Sequence, residues 1–315
     1  MKEASLAERP AHVGVLSEPH LCTERSSLVL QDLVELTKVR VGILILFTTL
    51  AGYTLATKYM GVDLDLARLF WTLLGTGFVA GSAAALNQVL ERDRDARMHR
   101  TRERPIPSGR LSGTTAVMVA LGLLTAGMAV LGFKTNPFAA AIAGITWALY
   151  VFAYTPLKTR SHLSTVVGAV PGALPPLIGW TAAGLILQGP AWTLFGVIFF
   201  WQLPHFLAIA WLYRDDYARG GFPMLTVLDP SGHAAARQSL LNTLALICVS
   251  LIPAFTGQAG SVYAGIAIFL GVGFLSSVLW LVARPTPGAA RAAILTSIIY
   301  LPLLLLAIVT ATSAT

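Results

Sequence analysis

The chain has 315 residues, of which 55% are hydrophobic and only 12% are charged, and its mean hydropathy is +0.70. Soluble domains carry roughly 25% charged residues, so this composition excludes a soluble protein and indicates an integral membrane protein. The formal net charge is +7 at pH 7. Membrane topology accounts for that charge, as shown below, so we expect no nucleic-acid partner.

Nine apolar runs are long enough, or nearly so, to cross a bilayer core about 30 Å thick. The sequence therefore predicts an all-α integral membrane protein, a bundle of nine transmembrane helices around a central cavity. The predicted spans are Val41–Thr57, Leu69–Leu90, Ala116–Phe133, Phe138–Tyr154, Val166–Leu187, Trp192–Leu212, Ser239–Phe255, Val262–Val282 and Ala292–Thr312.

The distribution of positive charge predicts the orientation of the bundle. With the N-terminus inside, the loops on that side carry nineteen of the 22 lysines and arginines. Only Lys58, Arg68 and Lys134 fall on the other side. Because cytoplasmic loops carry an excess of positive charge, we place the N-terminus in the cytoplasm and the C-terminus outside.

Two parts of the chain differ in composition. Residues 1–33 are predicted to form a loosely ordered cytoplasmic tail, and residues 34–315 a single polytopic membrane domain. The tail contains Lys2, Arg9 and Arg25 together with five acidic residues. A mitochondrial transit peptide is rich in arginine and poor in acids, so we expect a bacterial cytoplasmic (inner) membrane instead.

The second predicted helix ends in spaced polar residues. Asn87, Glu91 and Asp95 are separated by four residues each, so they share one face if the helix continues. Amide and carboxylate oxygens are ligands that suit Mg²⁺, and polar groups at membrane depth usually mark function. The alternative is a polar helix end whose carboxylates offset nearby arginines, and the depth of Asn87 argues against it.

The following loop carries seven arginines, from Arg92 to Arg110. An arginine fork binds two phosphate oxygens and keeps its charge at any working pH. Beside the carboxylates these arginines predict a diphosphate substrate, whereas alone they are also typical of a basic cytoplasmic loop. Lys158, after the fourth helix, is either a further phosphate ligand or a topology anchor.

The fifth predicted helix contains Pro171, Pro175 and Pro176. Proline removes a backbone donor and clashes with the preceding turn, so we expect this helix to be kinked or interrupted. It either lines an internal cavity, where the freed backbone groups find partners, or reflects the higher frequency of proline in membrane helices.

The sixth predicted helix carries a histidine within its apolar run. His205 and Asp216 are eleven residues apart, so on one continuous helix they share a face, with His205 about 16 Å below the carboxylate. A lone histidine is more often simply hydrogen-bonded, but an intramembrane histidine needs a partner or a task. Trp201 and Gln202 on the same helix favour a functional role.

In combination, these residues resemble the UbiA superfamily of membrane prenyltransferases from about residue 33 onward. The superfamily has an Asn with spaced carboxylates after helix two, which Asn87, Glu91 and Asp95 match, although Glu91 stands where Asp is commoner. The Tyr-x-x-x-Lys motif after helix four is matched from Tyr154 to Lys158.

A second acidic motif follows helix six in the superfamily, and Asp215 and Asp216 match it in position. Most members have Asp-x-x-x-Asp there. The adjacent pair departs from that pattern, so the motif alone does not decide between one and two bound metal ions. Trp-Gln-Leu-Pro-His-Phe at 201–206 and Met-x-Arg-Thr-x-x-Arg-Pro at 98–105 resemble the branch that farnesylates haem.

The resemblance implies Mg²⁺-assisted transfer of farnesyl from farnesyl diphosphate to a vinyl group of haem b, with addition of water to give haem O. The implied metal ligands are Asn87, Glu91, Asp95, Asp215 and Asp216, and the last two either hold a second metal or orient Lys158. The implied diphosphate ligands are Arg100, Arg104, Lys158 and Arg160, and the implied haem-contacting residues are Trp201, Gln202 and His205. The implied catalytic residues are Lys158, Arg100, Arg104 and His205, and His205 either ligates or positions the haem or handles the proton when water adds.

The expected partners are farnesyl diphosphate, haem b and the lipid bilayer, and the sequence leaves open whether a haem A synthase or a terminal oxidase assembly also binds. Three alternative functions remain. They are prenyl transfer to a quinone precursor or a chlorin, haem delivery without catalysis, and secondary transport. The two acidic motifs argue against simple delivery, and the concentration of charge at one side argues against transport.

Overall fold

The computed structural model describes residues 30–312. Within that range helices are the only regular secondary structure, and nine of them are long and apolar enough to cross a membrane, which confirms the predicted fold class. These helices are α1 Val39–Met60, α2 Leu66–Leu90, α3 Gly113–Lys134, α4 Pro137–Leu157, α5 Ser164–Ala182, α6 Gly189–Leu212, α7 His233–Phe255, α8 Ser261–Ala283 and α9 Pro287–Ala311.

Most of the predicted tail, residues 1–29, lies outside the described residues. Residues 30–36 are helical, so the last part of the predicted tail is ordered. Lys38 then separates this short segment from α1 with a left-handed backbone, φ 50° and ψ 49°.

Several helices begin earlier than the apolar runs predict, because polar side chains cap their first turns. The caps are Asp65 before α2, Ser112 before α3, Asn136 before α4 and Thr286 before α9. Each side-chain oxygen accepts from a backbone amide three residues on. Hydropathy misses such turns because they lie outside the apolar run.

The nine helices form a closed ring. Each packs against the next, α9 returns to α1, and α1 also packs along α5. Two glycines bring the backbones of α1 and α5 into contact. A Cβ added to Gly52 would lie 2.0 Å from the Pro176 carbonyl oxygen, and one added to Gly179 would lie 2.0 Å from the Thr49 carbonyl oxygen. Small residues of this kind fix close helix approach in membranes.

Helix α5 is interrupted, as its prolines predict. One helical piece runs over Ser164–Ala173, Leu174 follows, and the second piece runs over Pro175–Ala182. The Gln202 side chain of α6 donates to the Ala169 carbonyl oxygen at 2.8 Å. Gly172 makes room for it, since a Cβ there would lie 2.3 Å from the Gln202 Oε1. The interrupted helix therefore has a polar contact with α6 inside the bundle.

Helix α6 does not continue to Asp216, so the predicted shared face of His205 and Asp216 is wrong. The helix ends at Leu212, Tyr213 has φ −112° and ψ 26°, and a new short helix covers Arg214–Arg219. The chain turns where the apolar sequence gives way to Arg-Asp-Asp. The polar segment leaves the bundle to pack on the loop that follows α2.

Candidate active site at the charged end of the bundle

The connections after α2 and after α6 lie at one end of the bundle, which we call the charged end, and they dock on one another. The Arg94 guanidinium donates to the Gly221 carbonyl oxygen at 2.6 Å. Met98 is buried in a small apolar cluster with Tyr217 and Phe222. The two polar loops therefore form one layer over the ends of the helices.

Asn87 is buried at this end and both of its amide atoms have partners. Its Oδ1 accepts from the Lys38 ammonium at 2.7 Å, and its Nδ2 donates to the Thr155 hydroxyl at 3.4 Å. Burial lowers the pKa of Lys38 to about 7, and repulsion from Arg104 adds to the effect. Lys38 thus brings an amine that titrates near neutral pH beside the first predicted metal ligand, and sequence analysis did not identify it.

Glu91 is 2% exposed and is paired with the cation at the end of α4. Both carboxylate oxygens accept from the Lys158 ammonium, at 3.0 and 2.9 Å. Burial is the largest single influence and lowers the pKa of Lys158, but the charge and hydrogen bond of Glu91 together with Tyr217 and Tyr150 outweigh it, so the net shift is upward. Lys158 therefore stays charged, and it also lies over the Phe222 ring, 4.6 Å from its centroid.

Asp95 is the third residue of the predicted ligand set and is 1% exposed. Its Oδ2 accepts from the Arg104 guanidinium at 2.7 Å. Its Oδ1 is buried and has no hydrogen-bond partner among the described residues. An unpartnered buried carboxylate oxygen is costly, so this atom is the one in the cluster that most clearly lacks a ligand.

A π-helical turn within α4 lies beside these pairs. Leu149–Tyr154 is π-helical, and such single turns are frequent at functional sites. The Thr155 hydroxyl donates to the Tyr150 carbonyl oxygen at 2.8 Å while it accepts from Asn87. The rings of Tyr150 and Tyr154 are tilted by 46° with centroids 5.1 Å apart, so two aromatic rings lie on the same part of α4 as Thr155.

The remaining predicted phosphate ligands are less enclosed. Arg100 is exposed, and its guanidinium lies over the Tyr213 ring at 5.0 Å and donates to the Tyr217 hydroxyl at 3.4 Å. Arg160 is exposed, and its guanidinium has no hydrogen bond or ion pair within residues 30–312. Both cations are thus at the surface, whereas Lys38, Lys158 and Arg104 point to buried acceptors.

The second acidic pair has a different environment. Asp216 accepts from the backbone amides of His99 at 3.0 Å and Arg100 at 3.4 Å, and it is paired with Arg219. Its burial would raise the pKa, but these donors outweigh burial and hold the pKa below its usual range. Asp215 is exposed and lies 3.7 Å from Arg214. The structure places neither carboxylate against Lys158.

The two acidic motifs do not come together around one point. Within the described residues, no group of three or more His, Cys, Asp or Glu side chains is placed to hold a metal ion. The structure brings Asn87, Glu91 and Asp95 to one buried face, each beside a cation. Asp216 instead holds the loop that carries Arg100 and Arg104.

The predicted haem-contacting residues lie deeper, on α6. His205 is half-buried, its Nδ1 lies 2.7 Å from the Ser297 hydroxyl of α9, and its ring stacks on Trp201 with centroids 5.2 Å apart and planes 15° apart. The Trp201 indole donates to the Ser297 carbonyl oxygen at 2.8 Å. Gln202 turns to α5 instead, so the two polar side chains occupy different faces of α6.

The sequence offered partial signals for the residues it missed. Lys38 lies just before the first apolar run, at the same end of the bundle as Asn87. This shared depth could have identified it as a neighbour of Asn87. Thr155 is the residue after Tyr154 in the recognised Tyr-x-x-x-Lys motif. Ser297 had no distinguishing signal, because serines are common in membrane helices and their partners are fixed only by packing.

The fold and the site define a polytopic membrane protein with a buried cluster of acids and cations at one end. The chain matches the model of the UbiA prenyltransferase family over residues 45–308. A protoheme IX farnesyltransferase from Solibacter usitatus is 44% identical over 281 residues, which cover 87% of this chain and 96% of that protein. Another from Opitutus terrae is 42% identical over 91% of this chain and 96% of that protein.

The chain therefore belongs to the UbiA prenyltransferase family and is a membrane prenyltransferase. Solved structures share the fold. A digeranylgeranylglyceryl phosphate synthase matches with a TM-score of 0.74 at 17% identity, over 90% of this chain and 98% of that chain. A UbiA homolog from Archaeoglobus fulgidus bound to DMAPP and Mg²⁺ matches with a TM-score of 0.60 at 11% identity, over 88% of this chain and 99% of that chain.

Proposed function

We propose that the protein transfers a farnesyl group from farnesyl diphosphate to a vinyl group of haem b, and that water adds to give haem O. The observation that carries this proposal is the 44% identity to a protoheme IX farnesyltransferase across 96% of that relative. The acid and cation cluster supports the diphosphate half of the reaction. His205, Trp201 and Ser297, which we call the His205 cluster, support the haem half.

Five cations are available for the diphosphate. Lys38, Lys158 and Arg104 are paired with buried acceptors, while Arg100 and Arg160 are exposed at the same end. A diphosphate in this layer would give the buried cations an alternative acceptor with several oxygens. Arginine forks suit such oxygens, and a lysine supplies a point charge.

The residues present fit a divalent cation such as Mg²⁺, which the Archaeoglobus fulgidus homolog holds. Asp95 Oδ1 is buried and has no partner within residues 30–312, and Glu91 and Asn87 present further oxygens on the same face. Mg²⁺ takes oxygen ligands and is usually held by one or two carboxylates together with substrate phosphates. When bound, it would neutralise charge that develops on the leaving diphosphate.

The chain's own residues account for the remaining steps. The C1–O bond of the farnesyl diphosphate breaks and its electron pair leaves with the diphosphate, which Lys158 and the arginines stabilise. The vinyl group's terminal carbon then bonds to the allylic C1. Water attacks the resulting cation next to the porphyrin ring and loses one proton. Tyr150 and Tyr154 present aromatic faces that favour a nearby cation.

Purified protein in detergent tests the proposal directly. It would be given haem b and farnesyl diphosphate with and without Mg²⁺, and the haem would be analysed by mass. We expect a Mg²⁺-dependent product heavier by farnesyl plus water. Parallel reactions in which a quinone precursor or a chlorin replaces haem b show which acceptor the protein prenylates. If folded protein left haem unchanged but prenylated a quinone precursor, the haem assignment would be wrong and the family assignment would stand.

We further propose that residues 34–315 form one membrane domain in a bacterial inner membrane, with the charged end toward the cytoplasm. The bacterial relatives and the nineteen positive residues on one side support this topology. Cysteines introduced at Glu103 and at Gly257 would report it. An impermeant thiol reagent added to intact cells should label the Gly257 variant and spare the Glu103 variant.

A further inference from the structure

Ser297 of α9 contacts both aromatic residues of the His205 cluster. It is 0% exposed, and its carbonyl oxygen accepts from the Trp201 indole at 2.8 Å. Its hydroxyl lies 2.7 Å from the His205 Nδ1. One residue of α9 therefore holds the indole through its backbone and the imidazole through its side chain.

The direction of the second hydrogen bond follows from a third contact. The Ser297 hydroxyl also lies 2.6 Å from the Ile294 carbonyl oxygen and donates to it. A hydroxyl has one proton, and a carbonyl oxygen can only accept. The proton of Ser297 is therefore committed to Ile294, so the hydroxyl oxygen accepts from His205 and the Nδ1 must carry the hydrogen.

A neutral imidazole with hydrogen on Nδ1 has its lone pair on Nε2. Within residues 30–312, the Nε2 of His205 has no hydrogen-bond partner, and the ring contacts Ser297, Trp201 and Phe206. None of these three side chains carries a charge that would favour a protonated ring. The lone pair is thus available to a ligand, and the ring keeps part of its surface exposed.

We propose that Ser297 is a positioning residue which fixes His205 in the Nδ1–H form, so that Nε2 binds the iron of the haem acceptor. The proposal rests on the haem half of the proposed function. Histidines that bind metals almost always donate their other ring N–H to an oxygen, and this outer contact sets the tautomer and orientation. The Trp201 ring stacked on the imidazole limits rotation of the ring about its bond to Cβ.

The experiment is a titration of the purified full-length protein with haem b, followed by absorption and electron paramagnetic resonance spectroscopy. The wild type should show haem with an imidazole ligand. His205→Gly should lose that signature, and added imidazole should restore it. Ser297→Ala should bind haem roughly 10–100-fold more weakly, which is the usual cost of removing an outer contact of a metal ligand.

Two further variants separate positioning from a general packing effect. Ser277→Ala removes another buried serine hydroxyl, one that contacts Phe274 and Thr296 on the neighbouring α8 and α9, and it should leave the haem spectrum unchanged. Ser297→Thr keeps a hydroxyl and should retain the imidazole signature. Equal haem affinity and spectra for Ser297→Ala and Ser277→Ala would overturn the role of Ser297.

Turnover measured on the same samples keeps the two proposals apart. If wild type shows a His205-dependent haem spectrum but no farnesylated haem, the proposed reaction is wrong while the haem site stands. If it farnesylates haem and His205→Gly leaves the spectrum unchanged, the reaction stands and the iron ligand is another residue. A wild type that binds no haem would contradict both.

Discussion

The two polar regions of this bundle satisfy their buried groups in opposite ways. At the charged end, Asn87, Glu91 and Asp95 each face a cation, and the charges are buried together. In the His205 cluster every polar contact is between neutral groups, and the cluster sits within the helical part of α6 and α9. Charges are tolerated at the charged end because loops and solvent are near. The deeper His205 cluster is held by hydrogen bonds between neutral groups.

This difference indicates different tasks. A cation paired with a carboxylate can exchange that partner for a phosphate oxygen with little change in its own surroundings. A neutral imidazole held by a serine presents a directed lone pair and does not depend on charge. The charged end is therefore suited to the diphosphate, and the His205 cluster is suited to an uncharged contact with the acceptor.

The largest effect is expected at the charged end. Glu91→Gln removes the charge that pairs with Lys158 and that would contribute to Mg²⁺ binding, so turnover should fall about 10²–10³-fold, as for loss of one electrostatic contact in an active site. Haem binding, followed by absorption, should be unchanged. Glu103→Gln, an exposed carboxylate of the same loop, is the matched control and should retain wild-type turnover.

The next test asks whether the buried pair also supports stability. Lys158→Met leaves Glu91 as a buried unpaired charge, so the free energy of unfolding in detergent should fall by about 3 kcal/mol. The double variant Lys158→Met, Glu91→Met should recover most of that loss, because it removes both charges. A double variant as unstable as the single one would mean that the pair itself, rather than the unpaired charge, determines stability.

A smaller effect is expected at Asp216, which holds backbone amides of the arginine loop. Asp216→Asn should raise the KM for farnesyl diphosphate roughly tenfold, a cost near 1.4 kcal/mol, while the Mg²⁺ concentration that gives half-maximal rate stays the same. Asp215→Asn, at the exposed neighbour, should change neither. A shifted Mg²⁺ dependence for Asp216→Asn would instead identify a metal ligand.

The smallest effect is expected at Gln202. Its amide donates to Ala169 on α5 and faces away from the His205 contact, so Gln202→Leu should lower stability by about 1 kcal/mol and leave haem affinity unchanged. Thermal unfolding and the haem titration measure the two quantities on one sample. A tenfold weaker haem affinity would instead identify Gln202 as a haem-contacting residue.

Hydropathy and charge bias were enough to predict the nine helices, since crossing a membrane requires a long apolar run. The apolar run does not mark where a helix begins, so the first turn capped by Thr286 was missed. The spacing of Asn87, Glu91 and Asp95 predicted one buried face because the backbone hydrogen bonds continue from α2 through Asp95.

Contacts between distant segments could not be predicted from spacing. The pairing of Glu91 with Lys158 and of Asn87 with Lys38 depends on how α1, α2 and α4 meet at one end. The break at Tyr213 moved Asp216 away from the face of His205, because a loop contact replaced a helical turn. The partner of His205 lies 92 residues away in the chain, and only helix packing brings it there.

The backbone at Lys38 has a consequence for the evolution of this chain. Lys38 is the one non-glycine residue in the described range with a positive φ, and a side chain in that conformation costs roughly 1–2 kcal/mol. Glycine would adopt the same turn freely but would carry no ammonium to Asn87. Lys38→Gly should therefore change the thermal stability little, because relief of the backbone strain is offset by loss of the donor to the buried Asn87 Oδ1. The strained turn is thus retained where its side chain supplies the donor that a buried amide oxygen requires.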